Sequence, residues 1–145
     1  MNNRLIKFRV WDKLAERFIT PESLFQGHYS LGLNGRFHNF QNGSGGEEYE
    51  VMEFAGLKDS KNIDIYEGDI LHFVENKNAF SLSMGLDSPV DQFVDKYTEV
   101  TYFKGSFIIN PPRCSALMGN QFLLNDVTQY CDVVGNVFEN KDLLK

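Results

Sequence analysis

The stretch Ile65-Tyr66-Glu67-Gly68-Asp69-Ile70-Leu71-His72-Phe73 decides the fold that we predict for this chain. It follows a polar, turn-rich segment at residues 58–64, and from Ile70 onward it has the β-branched and aromatic bias of strands. Gly68 and Asp69 are typical of a turn, because glycine adopts unusual φ values and aspartate accepts backbone N–H bonds. The stretch therefore predicts a turn that leads into a core strand.

Strand signals lie on both sides of this stretch. In residues 5–11 the apolar Ile6, Phe8 and Val10 alternate with Lys7, Arg9 and Trp11, which predicts a half-buried strand that returns as a hairpin at 18–19. Residues 49–57 predict a strand that stops at Gly56. Residues 31–46 predict a hairpin or a strand, followed by a mobile glycine-rich loop. We also expect a hairpin at 99–109 and a closing strand with a bulge at Gly135. Short helical turns are expected at 20–23 and 140–144.

The fold class follows from the count and spacing of these strands. Roughly six to ten short strands, separated by Gly, Asn and Pro turns and without long amphipathic helices, are typical of all-β proteins. We predict a mainly antiparallel small barrel or sandwich of short strands with one or two short helical turns. We predict that residues 1–145 form a single domain, which could consist of two β lobes. We also predict an irregular loop near 75–98 and either a short helix or a loop within 111–129.

Composition limits the classes of function. An apolar fraction of 42% with thirteen Phe indicates a chain that folds. The net charge of −6 disfavours nucleic acid as a partner, and the small basic group Arg4, Lys7 and Arg9 is interpreted as a solvated strand face. The N-terminus lacks an apolar signal region and no run of about 18 apolar residues exists, so we expect a soluble protein of the bacterial cytoplasm, with no membrane partner.

Three blocks in order along the chain resemble the YopX family of phage and prophage proteins. They are the strand at 7–12, the residues 56–59 with 65–70, and the close at 134–144. The resemblance implies a phage or prophage origin and a mainly β fold, and it supplies no catalytic residues. The family usually has Gly where this chain has Asn62, which tolerates a left-handed conformation. The motif residues, interpreted as structural, are Trp11, Gly56, Tyr66, Glu67, Gly68, Asp69, Gly135, Asn136, Glu139 and Asn140.

The acidic pair Glu67 and Asp69 is the first candidate for chemistry. In a strand the two carboxylates share one face about 7 Å apart, so together with His72 they suggest a metal or enzyme site. We favour the turn interpretation, and we expect no catalytic residue, no cofactor and no metal. His28 and His38 complete the set of histidines and show no metal-ligand spacing with His72.

The two cysteines are the other reactive side chains. Cys114 and Cys131 can form at most one disulfide, and a cytosolic protein keeps such thiols reduced. We expect each of them to be a buried apolar thiol.

Two functions remain open at this point. A binding or assembly module would act through a protein partner or through self-association, since β proteins often pair or cover their strand edges. The alternative is a nucleic-acid-associated β-barrel protein in phage replication or regulation, in which aromatic side chains stack on bases. Its candidate residues are the aromatic Tyr29, Phe37, Phe40, Tyr97, Tyr102 and Phe103, with the basic Arg36 and Lys104.

Overall fold

The computed structural model describes residues 5–41, 43, 45–73, 96–109, 122–126 and 128–145. Its contacts divide the chain into two compact units, Met1–Phe54 and Ala55–Lys145. Short antiparallel strands dominate both units and helix is scarce, so the predicted all-β class is confirmed. No helix in the described part of the chain has the length and apolar character that crossing a bilayer requires.

The first unit contains two small antiparallel sheets. In one sheet β1 lies between β2 and the first half of β5, with Val10 opposite Val51. In the other, β3 pairs with β4. The elements are β1 (Phe8–Asp12), β2 (Arg17–Phe18), α1 (Pro21–Phe25), β3 (Tyr29–Leu31), β4 (Phe37–Asn39) and β5 (Tyr49–Lys58), the last of which extends into the second unit.

Side-chain acceptors shape the local turns of the first unit. Asp12 Oδ1 accepts the backbone N–H groups of Leu14 and Ala15, both at 2.9 Å, and so closes the turn between β1 and β2. Thr20 Oγ1 accepts the N–H of Ser23 at 3.4 Å at the start of α1. The predicted hairpin and the predicted helical turn are therefore confirmed.

The core of the first unit is aromatic. Phe37 stacks on Tyr29 at 5.4 Å between ring centroids and meets Tyr49 edge-on at 5.0 Å. The hydroxyl of Tyr49 accepts a hydrogen bond of 3.0 Å from Asn39 Nδ2, which satisfies two buried polar groups. The predicted hairpin at 31–46 is confirmed as β3 and β4, while part of the glycine-rich loop that follows lies outside the described residues.

The predicted buried face of β1 is wrong at two positions. Ile6 and Phe8 are 62% and 44% exposed, whereas Val10 and its sequence neighbour Trp11 are both buried. Because Val10 packs in the core with Phe37 while Trp11 packs on Phe18, both faces of the strand are covered at that end. Alternation alone does not reveal such coverage on two faces.

The prediction that β5 stops at Gly56 is wrong. The strand continues to Lys58, and Gly56 adopts a φ of +79° within it. A residue in this conformation locally bends a strand without ending it, which glycine permits because it has no Cβ.

The second unit is organised around a five-stranded antiparallel sheet in the order β10-β9-β8-β7-β11. The short strand β6 is the neighbour of β5. The strands are β6 (Asp64–Tyr66), β7 (Asp69–Phe73), β8 (Tyr97–Phe103), β9 (Ser106–Ile109), β10 (Phe122–Leu123) and β11 (Cys131–Asn136). Three 3₁₀ turns, more helix than predicted, lie in the described part at Leu124–Asp126, Thr128–Tyr130 and Lys141–Leu144.

Several sequence predictions fall on this sheet. The hairpin predicted at 99–109 is confirmed as β8 and β9, whose turn residues Lys104 and Gly105 both have positive φ. The bulge at Gly135 is confirmed by a register shift between Val133 and Gly135. The irregular loop predicted near 75–98 lies outside the described residues as far as residue 95. Its last part is wrong, because β8 begins at Tyr97. Of the helix or loop predicted within 111–129, residues 111–121 and 127 lie outside the described residues.

The strand of the opening stretch lies in the core of this unit. Leu71 and Phe73 of β7 are at most 1% exposed, as the predicted core strand requires. Cys131 is a buried free thiol in the same cluster, whereas Cys114 lies outside the described residues. The fully buried apolar cluster comprises Ile65, Leu71, Phe73, Val100, Ile109, Leu124 and Cys131.

Candidate functional site

The central and closing motifs meet through the pairing of β7 with β11. Asp69 stands opposite Asn136 in this register. Gly68 precedes β7 with a φ of +75°, donates its N–H to Val100 O at 2.8 Å, and accepts the N–H of Val137 at 2.9 Å. Motif residues that are far apart in sequence therefore form one junction in the second unit.

The carboxylate of Asp69 closes the turn at this junction. Its side chain is buried, and Oδ2 accepts the backbone N–H of Tyr66 at 2.8 Å. Glu67 lies in the turn before β7. The structure agrees with the turn interpretation of this pair, because Glu67 lies in the turn and only Asp69 belongs to the strand.

Asn136 organises the close of the chain. Its Oδ1 accepts the N–H groups of Phe138 and Glu139, both at 3.0 Å, while its Nδ2 donates to Glu139 Oε2 at 2.6 Å. Asn140 N donates to Asn136 O at 2.9 Å, and Asn140 Oδ1 accepts the N–H of Asn136 at 3.3 Å. The predicted turn at 140–144 is present as the 3₁₀ turn Lys141–Leu144, but the side chain of Asn140 binds β11 and does not cap it.

Gly135→Ala should destabilise the protein, because a Cβ at this position would lie 2.3 Å from Asn140 Oδ1. We expect a loss of about 1–3 kcal/mol in the free energy of unfolding, which is typical of overpacking. Urea unfolding of Gly135→Ala, Asn140→Gly and the double variant provides the test. If the clash is the cause, Asn140→Gly recovers part of the loss in the double variant; simple additivity would contradict this cause.

The remaining motif residues have separate structural positions. Trp11 lies in the first unit and meets Phe18 edge-on at 4.9 Å between ring centroids. Gly56 lies in the continuing β5, and Tyr66 is the last residue of β6.

A second polar cluster surrounds Asp59 in the turn between β5 and β6. The buried Asp59 carboxylate accepts the N–H groups of Lys61 at 2.9 Å and Ile63 at 2.8 Å on Oδ1, and that of Val133 at 2.9 Å on Oδ2. Ser60 N donates to Cys131 O at 3.0 Å. We call residues 59–63 the cover turn, because these bonds attach it to the outer edge of β11.

Asp132 of β11 binds the same turn with its side chain. Its Oδ1 accepts a hydrogen bond of 2.5 Å from Ser60 Oγ, and its Oδ2 lies 2.7 Å from Lys61 Nζ. Asn62 closes the turn with a φ of +69°, as expected for the residue that replaces the family's Gly. The roles of Asp59 and Asp132 in this cluster were not predicted, although an Asp ahead of a left-handed Asn was a usable turn signal for the first of them.

The charges of this cluster shift three titration equilibria. The hydrogen bond from Lys61 holds the pKa of Asp132 below its ordinary value, and the same bond raises the pKa of Lys61. Burial, with the nearby charges of Asp59 and Asp132, raises the pKa of the Cys131 thiol to about 12. The thiol therefore stays protonated at neutral pH.

The Lys61 to Asp132 pair should make stability depend on pH. A carboxylate whose folded pKa is depressed contributes stability above its unfolded pKa and loses that contribution as the pH falls through the folded value. We expect Lys61→Gln to be less stable than the wild type near pH 7, with a difference that vanishes towards about pH 2. Urea unfolding across this range is the measurement, and Lys145→Gln, which removes an exposed partner of Asp142, is the control. A difference that stays constant down to about pH 2 would contradict this linkage.

The histidines are not gathered into one site. His72 of β7 stands opposite Asp132 and stacks on Tyr97 at 4.7 Å between ring centroids, whereas His28 and His38 belong to the first unit. Among the described residues, no group of three or more His, Cys, Asp or Glu side chains is placed to hold a metal ion. His72 thus lies next to Asp132 of the second polar cluster.

Two basic side chains, Lys7 just before β1 and Arg9 within it, lie over aromatic rings of the first unit. Lys7 Nζ is 4.8 Å from the centroid of Phe54, and the Arg9 guanidinium is 5.0 Å from that of Phe18. Arg4 lies outside the described residues. These two cations cover strand surface, which differs from the freely solvated face that the sequence suggested.

Exposed aromatic side chains mark the end of the hairpin formed by β8 and β9. Tyr102 and Phe103 are 52% and 42% exposed. The ring of Tyr102 meets that of Phe107 at 5.2 Å, and Lys104 Nζ lies 5.1 Å from the centroid of Phe103. We call these four residues the aromatic hairpin end. Of the other candidate aromatics, Phe37 and Tyr29 pack within the first unit, and Phe40 is exposed there.

Comparisons with known proteins agree with the motifs. The model of the YopX protein family matches residues 7–145. The crystal structure of protein EF1440 from Enterococcus faecalis is similar over 99% of this chain and 100% of its own, with a TM-score of 0.57 and 21% identity. Protein yopX from Bacillus subtilis is similar over 95% of this chain and 97% of its own, with a TM-score of 0.54 and 17% identity.

These likenesses concern the fold. No curated protein matches the sequence of this chain. The family model, in contrast, spans nearly all of it and includes the central and closing motifs that meet at Gly68 and Asn136. The chain belongs to the YopX protein family.

Proposed function

We propose that this protein is a phage or prophage accessory protein that acts as a binding or assembly module in the bacterial cytoplasm. It works through a protein partner or through self-association and not by catalysis. The observation that carries this proposal is the aromatic hairpin end, in which Tyr102 and Phe103 are exposed and Phe107 is half-buried against the core.

The aromatic hairpin end presents rings on both faces of its two strands. Tyr102 pairs in register with Phe107, and Phe103, as the next residue of β8, points to the opposite face. Lys104 adds a cation beside the ring of Phe103. Tyr and Phe side chains are enriched at protein interfaces, where the burial of one ring contributes about 1.5–3 kcal/mol.

Three buried aspartates of the second unit accept structural hydrogen bonds. Asp59 and Asp69 accept backbone N–H groups, and Asp132 accepts from Ser60 and Lys61 of its own chain. A carboxylate occupied in this way stabilises the fold and is not poised for proton transfer to a substrate. These roles support a module whose function lies in its surface.

The test compares Tyr102→Ser/Phe103→Ser with Phe40→Ser, which removes an exposed ring from the first unit. Sedimentation velocity over a concentration series should show association that the double variant loses and the control keeps. The same proteins serve as baits for affinity capture from prophage-induced cells. A strict monomer at high concentration, together with partners that bind the double variant as well as the control, would overturn the proposal.

The alternative, a nucleic-acid-associated protein, is favoured by Lys104 beside the ring of Phe103, since bases stack on such aromatic surfaces. The net charge of −6 opposes it. We therefore expect no gel shift with single-stranded DNA or RNA at low salt. A salt-sensitive shift that the double variant loses would replace the protein partner with a nucleic acid.

A further inference from the structure

The outer edge of β11 is occupied by the cover turn. β11 is the last strand of the five-stranded sheet, and such edges tend to pair with another strand. Two of its outward backbone groups are bound by the turn: Cys131 O accepts from Ser60 N at 3.0 Å, and Val133 N donates to Asp59 Oδ2 at 2.9 Å. The cover turn thus satisfies the groups that a neighbouring strand would otherwise bind.

The edge of β11 is also complementary to itself. If two copies lie antiparallel about a twofold axis at Asp132, Cys131 of one copy stands opposite Val133 of the other. The carbonyl of Cys131 then accepts the N–H of Val133 from the second copy, and the reverse bond forms as well. These are the same two groups that the cover turn binds within one chain.

We propose that the cover turn is displaceable, and that the uncovered edge of β11 pairs with the β11 edge of a second copy. The register shift between Val133 and Gly135 confines this pairing to Cys131–Val133, so the association is weak. The inference goes beyond the proposed function, because it uses a surface separate from the aromatic hairpin end.

Ser60→Pro uncovers the edge with little change to the turn itself. The N–H of Asn62 bonds to Asp59 O at 3.1 Å, which places Ser60 at the second position of a four-residue turn, where proline is favoured. Proline removes both the N–H bonded to Cys131 O and the hydroxyl bonded to Asp132. Ser60→Ala is the matched control, since it removes the hydroxyl alone.

Amide hydrogen exchange and sedimentation equilibrium read out the two parts of the proposal. In dilute Ser60→Pro, the Val133 amide should exchange about tenfold faster than in the wild type, and Ser60→Ala should change this rate by less than about threefold. At high concentration Ser60→Pro should dimerise and regain protection at Val133. Wild-type exchange rates in this variant, or fast exchange without a dimer, would overturn the proposal.

Two further measurements separate this proposal from misfolding and from the proposed function. In the wild type, Val133 should exchange about tenfold faster than Gly68, whose amide is bonded inside the sheet to Val100, because only the turn must lift. Equal protection of the two amides would count against a displaceable cover even if Ser60→Pro does not fold. The Ser60→Pro dimer should persist in the Tyr102→Ser/Phe103→Ser background, and its loss there would assign the association to the aromatic hairpin end.

Discussion

Replacing Asp59 with alanine should lower the free energy of unfolding by about 3–4 kcal/mol, a large share of the total for a domain of this size. The carboxylate is 7% exposed and accepts three backbone N–H groups, those of Lys61, Ile63 and Val133. Alanine supplies no acceptor, so the amide of Val133 loses its partner beneath the cover turn. Urea unfolding, monitored by circular dichroism, measures the effect.

Two variants define what Asp59 contributes. Asp59→Asn keeps one oxygen for Lys61 and Ile63 but turns an N–H₂ group towards the amide of Val133, so we expect about half of the alanine effect. Asp142→Asn changes an exposed carboxylate and should stay within about 0.5 kcal/mol of the wild type. If Asp59→Ala cost less than about 1 kcal/mol, the hydrogen bonds of the cover turn would not stabilise the fold as we describe.

Gly68→Val should be the second large effect, with a loss of about 3 kcal/mol or more. Gly68 has a φ of +75°, which a β-branched residue adopts only with strain. Relaxing this strain would move its backbone away from Val100 and Val137, which bond to its N–H and its carbonyl. Thermal and urea unfolding give the loss directly.

Substitutions to and from asparagine, which tolerates a left-handed conformation, are the controls for Gly68→Val. Gly68→Asn should cost clearly less than Gly68→Val, because Asn adopts positive φ more readily. Asn62→Gly, at a φ of +69° in the cover turn, should be neutral or slightly stabilising. Equal losses for the Asn and Val variants would mean that space, and not the backbone conformation, limits this position.

The features that the sequence predicted well are those encoded by a few adjacent residues. Lys104-Gly105 between two apolar runs identified the hairpin of β8 and β9, and Gly135 identified the bulge in β11. In both cases the backbone conformation depends mainly on the residue itself, so neighbouring sequence was sufficient. The left-handed conformation of Asn62, in contrast, was expected from the resemblance to the YopX family, which usually has Gly there.

The features that were mispredicted or missed depend on contacts between distant residues. The bond between Ser60 and Asp132 spans 72 positions, and no local pattern specifies it. The exposure of the Phe8 side chain was not predicted, because which residues of β1 are buried depends on packing partners from other strands, as for Val10 and Trp11.

The buried thiol of Cys131 offers a chemical report on the β11 region. Because its pKa is raised to about 12, the thiol stays protonated at neutral pH, so the folded protein should resist alkylation. A thiol exposed by opening of this region recovers an ordinary pKa and reacts far faster. In a Cys114→Ser background, the rate of labelling by iodoacetamide should therefore measure how often local opening of β11 exposes Cys131.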